Sequence, residues 1–267
     1  MLDIRRTPAP PLSAFIDLLW YIEGGSGLHC KERLLPTGTL ELVLPLHEER
    51  SRFYDPANLD WFEERRSPLL LGAQSGCVVI DAPQEAPVIG VHFRPGGAFP
   101  FLGVPASEIE NQSLSLEDIW GRDAIRLREC ISAAEGPCEK LNVLERTLLA
   151  RLGAPDQDPA VAFAVSELSG PRRVSDVVDQ IGISSRRFIQ LFHDHVGLTP
   201  KVFSRVRRFQ DSILRIGNGR RVEWVDLAAD CGFYDQAHFN HEFRRFSGLS
   251  PERYLVERTS QPNHVAL

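Results

Sequence analysis

Leu227 to Tyr254 reads LAADCGFYDQAHFNHEFRRFSGLSPERY, the order of residue types expected for two helices hinged at a glycine. Val222 to Cys231 carries apolar residues at helical spacing, and Gly232 stands where a helix ends by turning left-handed. Asp235 follows as the N-cap of a second helix, whose buried face is set by Phe239, Phe243 and Phe246 at spacings of four and three. Gly248 closes that helix, and Pro251 opens another at its first position.

The same unit occurs earlier in the chain. Phe188, Phe192, Gly197, Pro200 and Phe203 return 51 residues later as Phe239, Phe243, Gly248, Pro251 and Tyr254, and Leu198-Thr199 returns as Leu249-Ser250. Gly182 returns as Gly232, one residue out of step, which a single insertion in the turn explains. In the first copy the leading helix is Val174 to Ile181, Ser184 is the cap, and Phe188, Leu191 and Phe192 form the buried face.

A helix, a glycine turn and a capped second helix is the arrangement that lays the second helix in a DNA major groove. The side turned away from the phenylalanines then matters. It holds Arg186, Ile189, Gln190 and His193 in the first copy, flanked by Ser185 and Arg187. In the second it holds Ala237, Asn240, His241 and Arg244, flanked by Gln236 and His238. Arg, Gln and Asn are the types that bond base edges in pairs, and carboxylates are nearly missing from both faces. Between the copies, Pro200 to Ile216 aligns Val202, Phe203, Val206, Phe209 and Ile213 in one stripe, which predicts a helical strut roughly 25 Å long. For Arg205, Arg207, Arg208 and Arg215 around it, phosphate contact and a solvated helix face stand as alternatives.

Residues 159 to 254 resemble the DNA-binding domain of AraC-type (arabinose-regulator family) transcription regulators. The resemblance rests on Leu227-Ala228-Ala229-Asp230-Cys231-Gly232-Phe233, Gln236, Phe239, Phe243-Arg244-Arg245-Phe246, Gly248-Leu249-Ser250-Pro251 and Tyr254. It implies seven helices in two subdomains joined by a central helix, binding asymmetric sites in double-stranded DNA. By matched position it implies base contacts at Ser185, Arg186, Gln190, Gln236, His238, Asn240 and His241. Arg187 and Arg244 complete the expected DNA-binding set. The first unit departs from the pattern, with Val178 where the second has Ala228 and with Arg173 at the cap of its first helix.

The first half reads differently. Leu18 to Ile22, Leu40 to Leu46, Cys77 to Ile80 and Val88 to Phe93 are short β-rich runs set off by turn residues, which predicts a β-sandwich or small barrel. Ile119 to Ile131 and Glu139 to Leu152 follow as amphipathic helices. The expected organisation is an α+β chain: residues 1–152 as a first domain, for which the family resemblance implies effector sensing and dimerisation, 153–158 as a linker, and 159–267 as an all-α DNA-binding domain. The family resemblance implies a cupin-like jelly roll for the first half. Gly90-Val91-His92-Phe93-Arg94-Pro95-Gly96-Gly97, with Pro36-Thr37-Gly38 and Glu41-Leu42-Val43-Leu44, is similar to the sensory half of one branch of these regulators and specifies no ligand. Arg94 reads either as an anion clamp or as a surface ion pair, and His92 either as a pocket residue or as a structural histidine.

Composition narrows the remaining classes. The chain has 267 residues, 43% hydrophobic, enough for two packed domains. No run of about 18 apolar residues is present to span a membrane, and Met1 to Leu12 carries Asp3 and three prolines where a secretion signal needs a continuous apolar stretch. A cytoplasmic location is therefore expected. From residue 159 onward there are 15 Lys plus Arg against 12 Asp plus Glu, a balance of +3, which leaves 15 against 24, or −9, for residues 1–158. The second half is thus the one suited to phosphates. Cys30, Cys77, Cys130, Cys138 and Cys231 are scattered, against both a disulfide framework and a zinc cluster.

An enzymatic reading, above all a metal-dependent cupin-type enzyme, is disfavoured because His29, His47 and His92 are isolated, while His193 and His195 point to different sides of a helix. Ser75 in Gly72-Ala73-Gln74-Ser75-Gly76 sits one place off the nucleophile elbow. No cofactor or metal is expected. The other alternative is a partner-binding module that has lost DNA binding. For a regulator, a small-molecule effector, a second copy of the chain and RNA polymerase are the further partners expected.

Overall fold

The described residues of the computed structural model are 2–24, 31–47, 50–82, 86–153, 158–217 and 222–267. His29, Cys30 and four of the six expected linker residues lie outside them. The strands are β1 (Leu2–Arg6), β2 (Ile16–Glu23), β3 (Lys31–Leu34), β4 (Glu41–Pro45), β5 (Arg50–Asp55), β6 (Asn58–Arg66), β7 (Leu69–Leu71), β8 (Val78–Asp81), β9 (Val88–Phe93), β10 (Ser113–Ser115) and β11 (His264–Ala266). They form two antiparallel sheets, ordered β1-β2-β9-β4-β7-β10 and β11-β3-β8-β5-β6.

Alternation explains the first sheet. Leu19 and Tyr21 in β2, Leu42 and Leu44 in β4, and Ile89, Val91 and Phe93 in β9 all point to the core, one residue in two. Gly90 lets Trp20 of the neighbouring strand cross the other face, since a Cβ there would stand 2.3 Å from the indole. Burying each such large apolar side chain stabilises by about 1.5–3 kcal/mol.

The helices are α1 (Phe99–Leu102), α2 (Leu116–Trp120), α3 (Arg122–Ala133), α4 (Gly136–Arg151), α5 (Pro159–Leu168), α6 (Val174–Ile181), α7 (Ser185–Val196), α8 (Pro200–Ile216), α9 (Trp224–Asp230), α10 (Gln236–Ser247) and α11 (Pro251–Glu257). The helix expected over Ile119 to Ile131 is broken into α2 and α3, because Gly121 at φ 57° and ψ −130° leaves the helical region between them. Asp158 opens the helical half by accepting the Ala160 and Val161 amides at 2.8 and 3.3 Å. Seven helices run from Pro159 to Glu257 among the described residues, in agreement with the family expectation.

The two halves share one continuous cluster of buried side chains. β11, from the far end of the chain, pairs with β3, so the last residues of the helical half extend the second sheet of the β half. Val265 in that strand is fully buried, and His264 Nδ1 lies 2.8 Å from Glu32. No described helix is long and apolar enough to cross a membrane.

Candidate nucleic-acid interface

Both helix pairs form as their punctuation dictates. Gly182 and Gly232 take φ 76° and 74°, the left-handed turn that aims each following helix across its predecessor. Ser184 Oγ accepts the Arg187 amide at 3.3 Å, and Asp235 Oδ1 accepts the His238 amide at 2.7 Å, so each second helix begins on a satisfied cap. Arg173 makes no such side-chain cap for α6.

The strut α8 holds the two units by different aromatic residues. Phe203 packs edge-on against Phe192 of α7, with centroids 5.4 Å apart. Two turns on, Phe209 meets Phe243 at 5.2 Å and Phe246 at 5.3 Å, both on α10. Phe188, Phe192, Phe239, Phe243 and Phe246 are all buried, which turns the opposite sides of α7 and α10 away from the strut.

On those sides Ser185, Arg186, Arg187 and Gln190 of α7 are exposed, as are His241 and Arg244 of α10, while Gln236, His238 and Asn240 are half-buried. Among the described residues no hydrogen bond or ion pair engages the side chains of Arg186, Arg187, His241 or Arg244. His238 is partly committed to the turn, because its Nδ1 accepts the Tyr234 amide at 3.3 Å. Asn240 keeps its carbonyl oxygen buried without a donor. Gln190 Nε2 donates to Asp194 Oδ1 at 2.8 Å.

Three of the four arginines around α8 are engaged within the protein. Arg205 makes a paired bond to Glu242 of α10, both contacts 2.6 Å, and also lies over the Phe246 ring. Burial opposes ionisation of Glu242, but the bonds and charge of Arg205 outweigh it and hold the carboxyl below its ordinary value. Arg208 donates to the Gly232 carbonyl at 3.0 Å and covers Phe233, which fixes the second turn to the strut. Arg207 is half-buried and its guanidinium pKa is lowered by that burial. Arg215 pairs with Asp211 and Asp230. Sequence patterning had left phosphate contact open for all four, because it does not show which side of a basic helix meets a neighbouring helix.

His193, read from helical geometry as part of the first outward face, is held by the β half instead. Its Nε2 sits 2.8 Å from Glu110, and Asp194 accepts the Ser107 hydroxyl at 2.7 Å. His195 stacks on Phe99 at 3.9 Å, and its pKa is lowered by burial. The C-terminal end of α7 is therefore docked on the β half, while Ser185, Arg186, Arg187 and Gln190 nearer its start are exposed.

In the β half, His92 Nδ1 bonds Glu41 at 2.8 Å and its Nε2 meets Thr39 at 3.3 Å. Burial alone would lower the His92 pKa, but Glu41 outweighs it and raises the value. Arg94 donates to the Ser13 carbonyl at 2.9 Å and lies 3.6 Å from Asp17, an exposed ion pair. Among the described residues no group of three His, Cys, Asp or Glu side chains is placed to hold a metal ion.

Residues 177–256 match a family described as a helix-turn-helix domain, and residues 4–115 match one described as a domain of unknown function. Residues 177–256 are thus similar to helix-turn-helix domains, within the 159–254 segment that resembles the AraC-type DNA-binding domain.

Among curated relatives, an uncharacterized HTH-type transcriptional regulator of Haemophilus influenzae is 22% identical over 113 residues, 42% of this chain and 38% of that protein. The probable transcriptional regulator LumQ of Photobacterium leiognathi is 32% identical over 72 residues, 27% of this chain and 29% of that protein. The matches thus span about a third of these relatives' length. Among solved structures, ToxT of Vibrio cholerae with a bound unsaturated fatty acid aligns over 91% of this chain and 95% of that one, with TM-score 0.47 and 10% identity. The DNA-binding domain of AdpA in complex with a target DNA aligns over 36% of this chain and 86% of that one, with TM-score 0.32 and 25% identity.

Proposed function

We propose that this AraC-type chain is a sequence-specific transcription regulator that reads double-stranded DNA with α7 and α10. One observation carries the reading: two copies of one glycine-hinged unit, packed on a common strut, each turn a polar face outward, and Arg186, Arg187, His241 and Arg244 on those faces are exposed and, among the described residues, uncommitted. Arginine and glutamine on such a helix bond base edges, while arginine at its margins bonds phosphate. Ser185, Arg186, Gln190, Gln236, His238, Asn240 and His241 are the residues assigned to bases, with Arg187 and Arg244 at the backbone.

The β half acts as the controlling domain of a cytoplasmic regulator, answering to a small-molecule effector or to a second copy of the chain and changing how α7 and α10 engage DNA together. RNA polymerase is the partner through which such a protein acts on transcription. The proposal includes no catalytic step. His92 and Arg94 remain the residues assigned to an effector site, although both already bond within the chain.

Titrating the purified chain with a random duplex and with a selected genomic fragment at several salt concentrations tests the proposal. Binding that weakens steeply with salt on both duplexes, but stays tighter on the selected one, supports it. Absence of binding to either duplex overturns it in favour of a partner-binding module.

A further inference from the structure

Each of the two reading helices carries a single carboxylate, and both are held from the side. On α10 it is Glu242, neutralised by Arg205 of the strut. On α7 it is Asp194, and what holds it comes from the other half of the protein. Ser107, in the short 3₁₀ turn Ala106–Ile109, donates its hydroxyl to Asp194 Oδ1 at 2.7 Å. The same oxygen accepts Gln190 Nε2 at 2.8 Å. A side chain of the β half is thus two hydrogen bonds from an exposed side chain of the first reading helix.

The position of Ser107 is well defined. Gly197, at φ 82° at the end of α7, lies so close to the turn that an added Cβ would stand 3.2 Å from the Ala106 carbonyl oxygen. Glu110, just past the turn, bonds His193 at 2.8 Å. Asp194 is therefore gripped between a fixed hydroxyl and its own helix. A carboxamide has two N–H groups and a carbonyl oxygen. With one N–H given to Asp194, Gln190 keeps the other N–H and the oxygen, the pair that a glutamine offers to adenine in the major groove.

We infer that Ser107 is a positioning residue for base reading: through Asp194 it orients the Gln190 carboxamide, so that the docking of the β half on α7 sets base preference in the first unit. The inference deepens the DNA-reading proposal and rests on it. A hydroxyl lost from Ser107 leaves Asp194 free to turn and Gln190 free to sample rotamers, and discrimination falls where orientation had been pre-set.

The test is selection of bound sequences by the full-length protein, read base by base, for wild type, Ser107→Ala, Ser107→Thr, Gln190→Ala and the Ser107→Ala/Gln190→Ala double variant. Ser107→Ala is expected to lower the preference at one base position in the first unit's segment by about 3- to 10-fold, the scale of one weakened hydrogen-bonding contact. Positions read by the second unit stay unchanged. Ser107→Thr, which keeps the hydroxyl, retains the wild-type profile, and Ser107→Ala adds nothing once Gln190 is alanine. An unchanged profile in Ser107→Ala overturns the inference, as does an equal loss at all positions or an effect that persists in the Gln190→Ala background. A wild type with no base preference sinks the DNA-reading proposal itself, an outcome distinct from the failure of the relay alone.

Discussion

Arg205 of α8 grips Glu242 of α10 through two parallel bonds of 2.6 Å, with side chains only 17% and 6% exposed. The pair sets the second reading helix against the strut and removes an anion from a helix that is to approach phosphates. Removing one partner of such a pair strands the other charge away from water. Arg205→Ala is therefore expected to cost about 3 kcal/mol in denaturant unfolding, and Glu242→Gln to cost less, because the charge it strands, on Arg205, is the more exposed of the two and keeps a carbonyl acceptor.

The same pair gives a pH dependence. Glu242 has a folded-state pKa below its ordinary value, chiefly because Arg205 overcomes the penalty of burial. Its contribution to stability is complete above the unfolded carboxylate value of about 4.3 and is lost as pH falls toward and through the lowered folded value. Stability measured from pH 6 downward is expected to fall less steeply in the Glu242→Gln protein than in wild type, over roughly the range below pH 4.5. Parallel curves would count against the pair.

His92 and Glu41 behave in the opposite sense. Burial lowers the His92 pKa and Glu41 more than reverses this, so the folded value lies above the ordinary one. Stability from this ion pair is fully present below the unfolded histidine value of about 6.5 and is lost as pH rises through the folded value. In Glu41→Gln, burial acts with its opponent removed, and His92 is expected to titrate below about 6.5 by NMR. A titration unchanged by the substitution would remove Glu41 as the cause.

Gly38 supports the docking of the halves. It has φ 79°, and a Cβ added there would stand 3.3 Å from Val206 of the strut. Gly38→Ala is expected to destabilise by about 1–2 kcal/mol, from the left-handed backbone and the tight contact together. Thermal unfolding checks it, and a neutral substitution would show that the turn relaxes freely.

The helical half was legible because its signals are local. Gly182, Ser184, Phe188 and Phe192 lie within one supersecondary unit and recur downstream, and the strut was read with its observed ends at Pro200 and Ile216. The β half was legible only where apolar residues alternate, as in β9. β5 and β6 were missed because Arg50 to Asp55 and Asn58 to Arg66 form a largely solvent-facing hairpin with little apolar patterning. β7 and β10 are three residues each, too short to show a period. β11 was missed for another reason, since its partner β3 lies more than 200 residues away and nothing in His264-Val265-Ala266 points to it. The contacts of Ser107, Glu110 and Phe99 with α7 are likewise long-range, which is why His193 read as an outward residue although it is docked.

Two separate outward faces, on α7 and α10, are proposed to read two separate stretches of one duplex. Base-by-base sequence selection with wild type, Arg186→Ala, His241→Ala and Arg244→Ala measures this. The expected wild-type site has two preferred segments about one helical turn apart, the first relaxed by Arg186→Ala and the second by His241→Ala, each by roughly 1–3 kcal/mol. Arg244→Ala weakens binding to all sequences alike. A wild type that binds every sequence equally, or a loss spread over both segments by either single base-reading variant, would contradict it.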